Sequence, residues 1–178
     1  MYARDRHPTS EPYEVWNLPI HPVTLPPGLA NSTRNGRLPN SDLADIEGGR
    51  LHRLAAASWR LMHTHASRDG LRLVPVNGSA NSYRTYFQQV LIFQKRFTTD
   101  TVEGAPSHRW NEQDWYLIPG LKPAAVPGTS THGWGIAVDV FGLRHGTKVM
   151  HWLLEHAHRY GWGWELESEP WHIVYYRG

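Results

Sequence analysis

Between residues 135 and 140 apolar and small positions alternate. Ile136, Val138 and Val140 fall on one side, and Gly135, Ala137 and Asp139 on the other. A two-residue period sends successive side chains to opposite faces, so the spacing predicts a strand. One face is fit for a core, and the other carries a carboxylate among small neighbours. A second alternation ends the chain, with His172, Val174 and Tyr176 against Trp171, Ile173 and Tyr175. Elsewhere the period is helical. Leu51, Leu54, Ala55, Trp59 and Met62 predict an amphipathic helix over about 50–67, with Gly70 as its stop. Thr85 and Gln88 form a T-x-x-Q capping box, so a second helix starts at Thr85, with Tyr86, Val90, Phe93 and Phe97 on its apolar side. Val149, Trp152, Leu153, His156 and Tyr160 predict a third helix, ended by Gly161. Leu71, Leu73 and Val74 suggest a short strand between the first two.

Two stretches escape this periodicity. Residues 1–40 are rich in Pro, Asn and Gly and read as an extended, irregular segment, either wrapping the domain or partly mobile, ahead of a folded domain at 41–178. His7 and His21, within it, are solvent or packing residues. Residues 98–127 form a long polar segment containing R-W-N-E-Q-D-W-Y. Long loops in compact domains are often functional. Trp110, Trp115 and Tyr116 either wall a substrate groove or simply pack.

Composition narrows the class. A chain of 178 residues with 40% hydrophobic and 19% charged content suits one soluble domain with a real core. Nine Trp and eight Tyr are a heavy aromatic load, suited to a core and to grooves that hold sugars or peptides. The net charge of +2 is a mild bias toward anionic surfaces, but Lys and Arg are scattered, which argues against nucleic acid. With no Cys, a metal site must use His and carboxylate. The first ten residues hold no apolar signal-peptide core, and no run is long enough to span a bilayer, so no membrane association is expected.

The chemistry concentrates in S-T-H-G-W-G-I-A-V-D, residues 130–139, and E-P-W-H, residues 169–172. His132, Asp139 and His172 can supply three ligands to one zinc ion, leaving a position for water, with Glu169 beside that water as base. Gly133 and Gly135 let the chain bend His132 back toward the face of Asp139. Pro170 disfavours helix at Glu169 and puts it on a bend outside the ligand set. Arg84 sits just before a helix N-terminus and suits a carboxylate or a developing oxyanion, or is simply a surface residue. His63 and His65 lie two apart and cannot share a helix face, and Glu155, His156 and His158 read as solvent-facing or supporting groups, so no second metal site is expected. There is no H-E-x-x-H helix motif.

S-x-H-x-x-G-x-A-x-D, at Ser130, His132, Gly135, Ala137 and Asp139, followed by E-x-W-H, at Glu169, Trp171 and His172, resembles the D-alanyl-D-alanine carboxypeptidase (VanY-like) zinc peptidases. That group includes L-alanyl-D-glutamate endopeptidases of bacteriophage lysins. Y-R-[ST]-x-x-x-Q at Tyr83, Arg84, Thr85 and Gln89 and W-L-L-E-H-A-H-R-Y-G-W at 152–162 look like further family segments, so the likeness runs from about residue 38 to the end. It implies a small α+β domain, about three helices around an antiparallel sheet holding one Zn2+, of the hedgehog/D-Ala-D-Ala peptidase type. It also implies a catalytic Glu169, Arg84 on the substrate carboxylate or oxyanion, and Tyr83, Gln89, Ser130 and Trp171 at the substrate. The expected substrate is peptidoglycan, cut by a monomer in its stem peptides. With no export signal, the expectation is a phage lysin made in the host cytoplasm and acting on the wall. The alternatives are a carboxypeptidase trimming the terminal D-alanine and, in another class, a wall-binding or virion module without catalysis.

Overall fold

The computed structural model describes residues 17–30 and 32–177. His7 and the rest of the first sixteen residues lie outside the described part. The fold is α+β, with three helices and three small antiparallel sheets. β1 (Leu43–Ile46) and β2 (Gly49–His52) form a hairpin that leads straight into α1 (Arg53–Arg68). α2 (Tyr86–Arg96) is followed by β3 (Phe97–Thr98), β4 (Ser107–Trp110) and β5 (Gln113–Leu117), a sheet with β5 at its centre. The last sheet joins β6 (Ala137–Asp139), β7 (Trp162–Gly163) and β8 (His172–Tyr175), with β8 central and α3 (Lys148–His156) between β6 and β7 in the chain.

The last sheet and α1 enclose the core. Ile136, Val138 and Val140 are buried as the alternation requires, and they meet Trp59, Met62, Met150, Leu153, Trp162 and Ile173 in one cluster. Trp59 packs edge-on against Trp162, with ring centroids 5.2 Å apart. Burying a side chain of this size contributes about 1.5–3 kcal/mol, so the core fixes the sheet that carries the candidate ligands.

Local signals set the helix ends. Thr85 caps α2 through the expected box: its hydroxyl accepts from the Gln88 backbone N–H, while the Gln88 side chain accepts from the Thr85 N–H. α1 starts at Arg53, later than the periodicity suggested, because Leu51 and His52 are used by β2, and the His52 ring accepts the Leu54 N–H. α3 ends at His156, and a 3-10 turn (Ala157–Tyr160) carries the chain to Gly161.

Two expectations change. Leu71, Leu73 and Val74 do not form a strand. Pro75 has no N–H to continue a ladder, and only an isolated bridge to Val140 forms beside it. The segment 98–127 is largely built, since β4 and β5 make a hairpin turning through Asn111 and Glu112, both at positive φ. Trp110 and Trp115 pack on Phe93 of α2, at 5.4 Å and 5.5 Å between ring centroids, and Tyr116 is held in the ladder opposite Ser107. Trp110 and Trp115 therefore pack on α2 and do not wall a groove.

The described part of the N-terminal segment lies against the domain. Leu18 joins the main core, Leu29 packs with Leu38 and Leu43, and Ile20 bridges Trp164. His21 stacks on Tyr176 at 4.0 Å, a packing role.

Candidate metal centre

The β6–β8 register sets the site. Asp139 stands directly opposite His172, with Val138 opposite Ile173 and Ala137 opposite Val174. Slipping this pairing by one residue would send the carboxylate and the imidazole to different faces, so burial of Val138 and Ile173 also fixes the polar pair. His132 arrives from a 3-10 turn (Thr131–Trp134) that closes on Gly135 at φ 66°. A Cβ on Gly135 would lie 2.6 Å from the His52 backbone nitrogen, which donates to the Gly135 carbonyl. A Cβ on Gly133 would lie 1.9 Å from the Asn35 side chain. Gly135 is therefore demanded by close backbone approach and Gly133 by the buried Asn35 and Gln89 side chains, and the turn they permit aims His132 at Asp139.

The donors converge. One atom each from His132, Asp139 and His172 lies within 4.8 Å of the other two, the only such group of three or more among the described residues. Asp139 Oδ1 is 3.3 Å from His132 Nε2 and 2.9 Å from His172 Nδ1. All three side chains are largely buried, with 4%, 14% and 5% of their surfaces exposed.

The outer ring nitrogens are occupied. His132 Nδ1 is 2.8 Å from the Ser82 carbonyl, which can only accept, so in the neutral ring that nitrogen carries the proton. His132 Nε2 then presents a bare lone pair to the Asp139 carboxylate. Two acceptors 3.3 Å apart are satisfied by a cation between them. Tetrahedral zinc, with bonds of about 2.0–2.1 Å, separates its ligand atoms by roughly 3.4 Å, close to the 3.3 Å between His132 Nε2 and Asp139 Oδ1. The residues fit a zinc ion.

Electrostatics separate the two histidines. Burial dominates at His132 and lowers its pKa to about 4, against a smaller upward pull from Asp139. At His172 burial also acts downward, but hydrogen bonds and charge from Asp139 and Glu165 outweigh it and raise the pKa to about 9. Burial pushes the Asp139 carboxyl up, yet its bonds to both histidines hold it well below the ordinary carboxylate range.

The site opens into a cleft of about 440 Å³ lined by Arg84, Ser130, Glu169 and Trp171 as well as the three donors. Arg84 is fixed by its Nε bond to the Ala80 carbonyl (2.9 Å), and its guanidinium lies 3.8 Å from Asp139. Its backbone N–H donates to the His132 carbonyl, tying the entry of α2 to the ligand turn. Glu169 sits on the bend before β8, where its carbonyl accepts the His172 N–H.

Gln89 and Tyr83, expected at the substrate, do not line the cleft. The Gln89 side chain is buried behind the ligand turn, donating to Asn35 and the Arg84 carbonyl and accepting from the Gly128 N–H. The Tyr83 hydroxyl accepts the Leu38 N–H. Both brace the loops that form the site.

Three charged residues of the cleft were not foreseen. Glu165 accepts a hydrogen bond from His172, and Arg96 and Lys122 line the same wall. Lys122 lies over the Trp171 ring at 4.0 Å, and Arg96 donates to the neighbouring Pro123 carbonyl. The position of Lys122 depends on the path of 117–129 across the domain, which no local pattern encodes. His63 and His65 stay apart from this centre: His63 bonds the Leu73 carbonyl and His65 the Tyr160 hydroxyl.

The family model for VanY, D-alanyl-D-alanine carboxypeptidase, matches residues 48–178. The chain belongs to this family, whose peptidases are hydrolases acting on peptidoglycan. Among solved structures it is similar to the LdcB LD-carboxypeptidase, described as revealing the basis of peptidoglycan recognition, at 25% identity and a TM-score of 0.55 over 79% of this chain and 71% of that one. It also shares the fold of VanYB, solved in complex with D-alanine-D-alanine, at 24% identity and a TM-score of 0.50 over 75% of this chain and 76% of that one. No curated protein matches it in sequence.

Proposed function

We propose that the chain is a zinc-dependent peptidase that hydrolyses a peptide bond of peptidoglycan stem peptides, releasing the C-terminal residue. The observation that carries this reading is the convergence of His132, Asp139 and His172 in a cleft that also holds Glu169. A bound zinc ion would polarise the scissile carbonyl and acidify the attacking water. Glu169 takes the proton as the water oxygen bonds to the carbonyl carbon, and returns it to the amine as the C–N bond breaks. Arg84, half-buried and fixed by the Ala80 carbonyl, offers a positive charge to the developing oxyanion. Ser130 holds the ligand turn, since its carbonyl accepts from Asn35 and from the Gly133 N–H.

Carboxypeptidase action is favoured over cleavage inside the stem by the cations of the cleft. Arg84, Arg96 and Lys122 line one site, suited to a substrate that ends in a free carboxylate. The Trp-rich hairpin that would have extended a groove packs on Phe93 instead.

The test is digestion of purified muropeptides with zinc-loaded protein, read by mass spectrometry. Loss of a single C-terminal residue, abolished by a chelator and restored by zinc, is the expected result. Release of longer fragments would move the activity to an endopeptidase of the lysin kind. Binding to wall polymer with no bond cut would leave the non-catalytic module.

A further inference from the structure

We propose that Glu165 is a positioning residue of the metal centre, holding His172 in the tautomer and orientation that turn Nδ1 toward the ion. This rests on the zinc reading above. Glu165 Oε1 lies 2.7 Å from His172 Nε2, on the side of the ring away from Asp139, which faces Nδ1 at 2.9 Å. An acceptor at Nε2 keeps the proton there and leaves the Nδ1 lone pair for a metal. The two rings are thus held differently, His132 by the Ser82 carbonyl and His172 by a carboxylate. A carboxylate partner makes its imidazole the more basic donor.

Glu165 also reaches the other ligand segment. The same Oε1 accepts from the Thr131 hydroxyl at 2.8 Å, and Thr131 immediately precedes His132. One carboxylate therefore links the turn bearing His132 to the strand bearing His172. Its backbone is anchored by Trp164, whose indole is buried in the core and donates to the Pro170 carbonyl at 2.9 Å. Glu165 lies outside the group of converging donors, which separates its role from that of a ligand.

The test measures zinc affinity of the metal-stripped protein by competition with a chromogenic chelator, with far-UV circular dichroism to confirm folding. Outer partners of metal-bound histidines typically contribute about 10–100-fold in metal affinity, and E165A is expected to lose that much. E165Q, which keeps the shape and an acceptor oxygen but not the charge, is expected to fall between E165A and the parent chain. T131V removes a hydroxyl that bonds Glu165 and lies 3.4 Å from His172 Nε2, but it keeps the Glu165–His172 bond, so its loss of zinc affinity should be clearly smaller than that of E165A. Parent-like affinity in both Glu165 variants overturns the proposal. So does a T131V loss as large as that of E165A, because loop packing would then be the cause. If the parent chain itself takes up no zinc, the proposed function fails, a different outcome from failure of this inference alone.

Discussion

The site asks its residues to do different work, and substitutions should separate them. Glu169→Gln removes the proton acceptor but no metal donor, so zinc content should stay at the parent value while kcat falls by about 10²–10⁴-fold. Arg84→Ala should leave zinc bound and lower kcat/KM by about 10²–10³-fold, the usual loss for one oxyanion-stabilising group. Unchanged rates in either variant, measured on muropeptides, would remove that residue from the mechanism. The two histidines should also leave opposite marks on the stability of chelator-treated protein. The His172 pKa is raised from 6.5 to about 9, so its contribution is complete below 6.5 and lost as pH rises through 9. That of His132 is lowered from 6.5 to about 4, so its contribution is complete above 6.5 and lost as pH falls through 4. Urea melts should therefore show a maximum near pH 6.5 and a decline on both sides; a profile rising steadily from pH 5 to 9 would contradict the assignment. The three converging side chains and the presence of Glu169 in their cleft were legible because each sits in a short pattern of its own. Glu165 was not, since it acts through the far side of a ring brought close only by folding. Gln89 matched a motif, but its neighbours Asn35 and Gly128 come from distant loops and make it a brace.

The elements deliver these groups through a few demanding contacts. Gly135 ends the ligand turn in left-handed backbone, against the His52 nitrogen. Gly135→Ala should cost about 1–3 kcal/mol in urea unfolding and weaken zinc binding, because the turn bearing His132 must shift. Thr85→Ala removes the cap of α2 and should cost about 1 kcal/mol with the slope of the urea transition unchanged; a loss near zero would mean that α2 is held by Phe93 and its aromatic neighbours alone. Capping and periodicity made α2 and α3 readable, and alternation made β6 and β8 so. The β4–β5 hairpin was not, because Asn111 and Glu112 adopt positive φ without the Gly that ordinarily signals such a turn. The short strand expected at 71–74 failed for the opposite reason, a local apolar pattern overruled by Pro75.

Across the molecule, the candidate centre is a point where distant parts of the chain meet. Residues 35 and 36 hold the ligand turn through Ser130 and Gly133, Ser82 holds one imidazole, and β8 pairs the other with Asp139. The α+β architecture was foreseeable from the order of periodic segments and from the family resemblance. That the described residues before 41 wrap the domain was open in the sequence beside partial mobility, since that segment has no period of its own to decide between them. An ion bound by groups so spread through the fold should stabilise all of it. At a free concentration a thousand times its dissociation constant, zinc should add about 4 kcal/mol, and a domain of this size should gain roughly 2–4 °C in Tm for each kcal/mol. The most direct test is X-ray absorption at the zinc edge on protein loaded with one equivalent. Two imidazoles and oxygen donors at about 2.0–2.1 Å, lost on His172→Ala, are expected. A spectrum without imidazole scattering, or full zinc retention in that variant, would contradict the account.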